Sequence, residues 1–357
     1  MIKSINGWRA VFALSIVLFH VGVPALEEMT WAGVSFFFMA SGLLLTLRHP
    51  VERLDEVGCR RFTWNHVAKL FPLHWLTLAM WFIAMAIIGK LVIDPLSLGL
   101  NVTLLHSWSL THSIYFSYNK FSWFLSTLLV FYLCYPLLAR WYSPLRLRHQ
   151  VIILAVLAIV DFIILAGTDD YGRTALYVFP PVRIIDFMIG MTLANAINGV
   201  KRVPVIGKSE NGIDAELIAI AALSAMILTY RSYEFLLPWS DAILWWIPVA
   251  LILLSCVLYD KREGYIGRFL STRPMQWLGN ISFEIFMLQG IAALVYIYWV
   301  DPVLGHLGIT RMANIVSNDI FGVDANLMAV FVIPIDILLA WIVNRIFTRP
   351  IHRLIKS

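Results

Sequence analysis

The sequence predicts an all-α, polytopic bundle of transmembrane helices. Three observations carry that reading. First, 60% of the 357 residues are hydrophobic and only 14% are charged, where soluble domains carry about 25% charged residues. Second, apolar windows long enough to cross ~30 Å of hydrocarbon recur ten times along the chain. Third, the basic residues fall mostly on one side of the spans so defined.

Taken in order, the expected spans are 7–25, 31–47, 67–89, 121–140, 150–167, 179–197, 213–230, 240–259, 277–299 and 326–347. The first follows a short basic start, has no small-x-small cleavage site after it, and reads as an uncleaved span. Between the third and fourth, residues 96–110 fit a re-entrant or interfacial segment. A cytoplasmic N-terminus places 21 of the 27 lysines and arginines inside and 5 outside, with Arg183 within a span. That asymmetry predicts ten spans with both termini cytoplasmic. No repeat, low-complexity tract or appended soluble domain is expected, so residues 1–357 read as one membrane domain.

The same composition excludes other classes. The net charge of +5 is dispersed over short loops rather than gathered on a polar face, which does not suggest nucleic acid as a partner. Cys59 lies in a basic loop, while Cys134 and Cys256 lie in apolar runs. They make neither a disulfide framework nor metal-ligand spacing, and no metal is expected.

Ionisable residues inside the spans are few: His20, Asp161, Arg183, Asp186, Glu284 and Asp336. Such groups are costly in lipid and mark candidate functional sites. Arg9 and His20 are eleven residues apart. In a helix that is ~20° past three full turns and ~16 Å of rise. One therefore sits near a membrane surface and the other well inside, on the same face. A topology anchor explains an Arg at the start of a span, and a bond to a neighbouring helix explains an intramembrane His. Arg183 and Asp186 stand three residues apart and can pair with each other.

Seven local signatures occur in order. They are N-G-W-R at 6–9, F-F-F-M-A-S-G at 36–42, R-R-F-T-W-N-H-V-A-K-L-F-P at 60–72 and W-F-L-S-T-L-L-V-F-Y at 123–132. P-V-R-I-I-D-F-M-I-G at 181–190, L-G-N-I-S-F-E-I-F-M-L-Q at 278–289 and the pair Arg349 and Pro350 complete the series. The series resembles the acyltransferase 3 family of integral membrane acyltransferases, and the resemblance covers 6–350. It implies an enzyme that O-acylates, most often O-acetylates, surface polysaccharides and other acceptors, in a bacterial inner membrane. The chain departs from the family where Asp is often found at Asn6, Glu at Leu128, a second His at Gln289, and an acid at Thr348 or Arg349.

With that resemblance, roles can be assigned as expectations. Acyl transfer from a thioester needs an activated nucleophile, an oxyanion site and a donor site. His20 is expected as the base or as the acyl carrier, with Arg183 polarising the carbonyl and Gln289 donating a hydrogen bond near it. Arg9 is expected to hold the phosphates of acyl-CoA, helped by Arg61 and Lys69, with Ser41 along the donor path. Trp123 and Asp186 are the candidates for acceptor binding. The expected partners are acetyl-CoA as co-substrate, a glycan acceptor and membrane lipid, with no permanently bound cofactor. A transporter or flippase, and a catalytically silent partner in glycan assembly, are the competing classes.

Overall fold

The computed structural model describes residues 2–49, 56–200, 212–260, 263–306 and 325–356. Among these residues every regular element is helical. A membrane solvates no backbone amide, so each spanning segment must satisfy its own N–H and C=O groups, and helices do that within one segment.

The helices run in the order α1 (Lys3–His20), α2 (Glu27–Arg48), α3 (Glu56–Val67), α4 (Leu70–Ile87), α5 (Pro95–Val102) and α6 (His112–Tyr115). Then come α7 (Trp123–Trp141), α8 (Leu147–Ala166), α9 (Asp170–Val178), α10 (Pro180–Val200), α11 (Ile213–Ser232) and α12 (Trp246–Leu258). The chain continues through α13 (Tyr265–Leu270), α14 (Arg273–Asn280), α15 (Ser282–Val295), α16 (Asp301–His306), α17 (Ala325–Val343) and α18 (Arg349–Lys356). Two π-helical turns, Tyr296–Val300 and Asn344–Thr348, extend α15 and α17.

Seven described helical segments are long and apolar enough to cross a membrane, or eight if the bent pair α9–α10, turned by 54°, counts as one span. Two expected spans fall short of that test. The helix that answers to 240–259 runs only from Ile243 to Leu258. The helix that answers to 7–25 is α1, with 18 residues that include Lys3, Asn6 and Arg9. The physical reason is its position: α1 packs against α2, α14 and α15, and most of its surface is protein-facing. A helix enclosed by others is not required to be apolar all round. The expected segment 277–299 is broken at Ile281 into α14 and α15. Of the charges used in the topology argument, Arg53, Lys201, Arg202, Lys208, Lys261, Arg262 and Arg311 lie outside the described residues.

The two glycine-ended signatures meet at one crossing. A Cβ on Gly42 of α2 would collide with the carbonyl of Phe187 on α10, and a Cβ on Gly190 would collide with that of Met39. Small residues at both positions let these helices approach backbone to backbone. Asn6 makes the second tie, from α1 to α14. Its Nδ2 donates to Gln276 O at 3.1 Å and lies 3.2 Å from both Gln276 Oε1 and Asn280 Oδ1. An aspartate, which only accepts when ionised, could not replace that donor.

Candidate active site

The two polar ends of α1 face different surroundings. At its C-terminal end, His20 Nδ1 lies 2.8 Å from the Ile16 carbonyl and 3.1 Å from Gln289 Oε1. A carbonyl oxygen only accepts, so Nδ1 carries the proton. Gln289 agrees with this, because its Nε2 donates to Phe286 O at 2.8 Å and its oxygen is left to face the imidazole. The neutral ring therefore keeps its lone pair on Nε2, which has no hydrogen-bond partner among the described residues. Phe121 stands edge-on to the imidazole, with ring centroids 4.9 Å apart. Phe121 is held in place because Asn119 Nδ2 donates to Met287 O on α15 at 3.1 Å.

Towards the N-terminal end of α1, Arg9 opens on a cavity of about 340 Å³. α2 contributes Phe37, Ala40, Ser41 and Leu44, spaced as one helix face; His66, Lys69 and Leu70 come from the α3–α4 region, and Phe124, Leu128 and Tyr132 from α7. α15 adds Glu284, and the chain after α17 adds Asn344, Thr348 and His352. Glu284 is buried and accepts from Asn344 Nδ2 at 2.7 Å. Among the described residues Arg9 makes no ion pair, so its five donors remain available to a ligand.

Cavity and imidazole are joined by aromatic side chains. Phe124 lines the cavity and lies 5.0 Å from Phe286. Phe286 in turn meets Phe121 at 6.2 Å, beside His20. Arg9 and His20 thus lie on one face of α1, ~16 Å apart by the helical rise, with the cavity at the Arg9 end and these packed rings between it and the imidazole.

The candidate residues separate into groups. Arg9, Ser41 and Lys69 share the cavity, and His20 and Gln289 are hydrogen-bonded at the C-terminal end of α1. Arg61 is exposed and outside the cavity. Arg183 and Asp186 form a third group, with Nε to Oδ2 at 3.4 Å and both side chains buried. Arg183 also donates to Asp241 O at 3.2 Å and Ser35 Oγ at 3.5 Å, between the rings of Phe38 and Tyr177. Asp186 accepts from Trp246 Nε1 at 2.9 Å. Trp123, only 5% exposed, packs on the same Phe38 and Tyr177. The structure does not bring this group to His20 or Arg9; its visible partners tie α2, α7, α9, α10 and α12 together.

Sequence reasoning left Glu284 unassigned and passed over Tyr132, Asn344 and His352. One signal was available for the last two: Asn344, Thr348 and His352 recur every fourth residue, which is one helix face.

Comparison with known proteins supplies the chemistry. Residues 2–345 match the family described as acyltransferase domain. The chain belongs to the acyltransferase 3 family. It is therefore an acyltransferase, in a bundle of apolar helices of a length that suits a membrane. A Bacillus subtilis protein named, provisionally, as the peptidoglycan O-acetyltransferase YrhL is 23% identical over 311 residues, covering 80% of this chain and 48% of that protein. The acyltransferase MdmB of Streptomyces mycarofaciens is 24% identical over 389 residues, covering 99% of this chain and 92% of that protein. The chain thus spans about half the length of the first relative and nearly all of the second. No solved structure gives a significant match.

Proposed function

We propose that this acyltransferase moves an acyl group, acetyl in the simplest case, from cytoplasmic acyl-CoA to a hydroxyl of an exported glycan. The observation that supports this best is the pairing on α1: at one end a guanidinium that opens on a cavity and makes no direct ion pair among the described residues, with buried Glu284 in the same cavity, and at the other an imidazole whose Nε2 has no hydrogen-bond partner among those residues. In this reading the protein lies in a bacterial inner membrane with ten spans and both termini inside. Arg9 then faces the compartment where acyl-CoA is made, and His20 lies towards the opposite side.

Arg9 and Lys69 bind phosphates of CoA as charge-assisted partners, and the thiol arm runs past Ser41 and Phe124 towards His20. Nε2 of His20 takes the proton of the acceptor hydroxyl as the oxygen attacks the thioester carbon. The tetrahedral intermediate collapses with cleavage of the C–S bond. The imidazolium returns the proton to the departing thiolate, so the products are the O-acyl ester and free CoA. Gln289 Oε1 and Ile16 O hold the ring through Nδ1–H and orient Nε2. The same lone pair could attack the thioester first, giving an acyl-imidazole that the acceptor then resolves. Arg183, Asp186 and Trp123 act in this account as the internal frame.

Sided proteoliposomes test the proposal. Acetyl-CoA is supplied on the face bearing Arg9 and a glycan panel on the other. Transfer across the bilayer, lost in His20→Ala and weakened at limiting donor in Arg9→Ala, is the expected result. Transfer only when donor and acceptor share a face contradicts the path along α1, and translocation of glycan without CoA release returns the protein to the transporter class.

A further inference from the structure

The acceptor needs a place to bind, and Trp123 and Asp186 are enclosed in the interior. A different feature meets the chemistry. Between the outer end of α4 and residues 90–118 lies a cleft of about 580 Å³, lined by Trp81, Lys90, Asp94, Ser113, Ser117 and Tyr118 among others. Aromatic faces, hydroxyls, one carboxylate and one ammonium share its walls with the apolar Met85, Leu91, Val92, Leu96 and Ile114. A pyranose ring presents C–H faces that stack on aromatic rings and hydroxyls that bond carboxylate and serine, so this lining suits a sugar.

The cleft is built rather than incidental. Tyr118 occupies the left-handed region, with φ 55°, a conformation costly for a bulky residue. Its phenol holds it there, accepting from Asp94 N at 3.1 Å and donating to Asp94 O at 3.0 Å. Ser117 Oγ accepts from Asn101 Nδ2 at 2.5 Å and donates to Ile114 O at 2.6 Å. The cleft also adjoins the imidazole. A Cβ on Gly290, the residue after Gln289, would lie 3.9 Å from Trp81 and 3.0 Å from Phe121, and Phe121 stands against His20. Trp81 is thus both wall of the cleft and neighbour of the site where the hydroxyl must react.

We propose that this cleft is the acceptor site and takes a pyranose glycan; the inference rests on the transferase reading above. The test is equilibrium binding of fluorescently labelled oligosaccharides, chitotetraose and maltotetraose, to the full chain in nanodiscs without acyl-CoA. Ser113→Trp fills the cleft at an exposed position. Leu110→Trp places the same bulk on an exposed residue outside it. At least one probe is expected to bind wild type and Leu110→Trp equally, and Ser113→Trp at least tenfold more weakly. Equal binding by Ser113→Trp and wild type, or no binding of either probe by wild type, overturns the cleft as the acceptor site. So does Ser113→Trp losing a bound phospholipid while binding sugar normally. Failure of the transferase reading looks different: the sugar binds through the cleft, but wild type releases no CoA when acetyl-CoA is added.

Discussion

Replacing Gln289 by Leu separates a base that needs orientation from a base that needs only to be present. The substitution removes Oε1, one of two acceptors on His20 Nδ1, and leaves the Ile16 carbonyl at the shorter distance of 2.8 Å. The ring thus keeps its tautomer and loses part of its fixing. A neutral hydrogen bond contributes about 0.5–1.5 kcal/mol net, which corresponds to roughly a 2- to 12-fold loss. The loss should fall on kcat, with little change in the KM for acyl-CoA, because the donor cavity is at the other end of α1. Removing the imidazole in His20→Ala should cost about 10²–10⁴, the usual contribution of a general base. The assay is CoA release by reconstituted protein at saturating acceptor, with folding checked by thermal melting. A Gln289→Leu defect as large as that of His20→Ala would refute the reasoning, since the Ile16 bond would then count for nothing.

Four further outcomes follow from the same geometry. Arg9→Ala should raise the KM for acyl-CoA by about 10- to 150-fold, from the ~1.5–3 kcal/mol of a hydrogen bond to a charged group, with Arg9→Lys intermediate; steady-state kinetics in donor concentration read it. Asn344→Leu leaves buried Glu284 without its 2.7 Å donor and should destabilise by about 1–3 kcal/mol, seen as a lower melting temperature. Gly42→Ala forces apart the α2–α10 crossing at Phe187 and should cost about 1–3 kcal/mol as overpacking, read the same way. The segment between α4 and α7 should respond to acid. Burial pushes His106 down from 6.5 to about 3, so the unfolded segment binds the extra proton between those values and stability falls with falling pH. Protection factors of the amides over residues 95–122, which divide out the intrinsic pH dependence of exchange, should fall as the pH drops below about 6.5, and fall less steeply in His106→Gln.

The fold was readable where one chain segment supplies the whole signal. Composition and apolar run length announced a helical bundle, and the Arg9–His20 register needed only the 100° step of a helix. Spans were expected at 7–25 and 240–259, and the helices found there, α1 and α12, are more polar or shorter than a lone lipid-facing span. α1 is wrapped by other helices, so it tolerates Lys3, Asn6 and Arg9. The break at Ile281 and the bend between α9 and α10 depend on neighbouring helices that a local window cannot see.

The candidate site followed the same division. Arg9, Ser41 and Lys69 meet in one cavity, and each stood in a motif. Gln289 was singled out as a hydrogen-bond donor near His20. The structure places its oxygen on the ring instead, because Phe286 O takes its amide protons. Glu284 was visible as a charge within a span, but its partner Asn344 lies sixty residues on, and only packing brings them together. Arg183 and Asp186 carried the sequence marks of a site, charge inside a span and a motif around it. Their surroundings in the fold are those of a buried structural pair. The 90–118 segment carried no motif, because a cleft assembled from short turns leaves no periodicity.

The central claim is that His20 does the chemistry. Radiolabelled acetyl-CoA given to purified, lipid-reconstituted protein with a glycan panel tests it most directly, wild type beside a folded His20→Ala. Label on a glycan with wild type, and none above background with His20→Ala, is the predicted result. Equal labelling by both proteins would contradict the account and remove the imidazole from the mechanism.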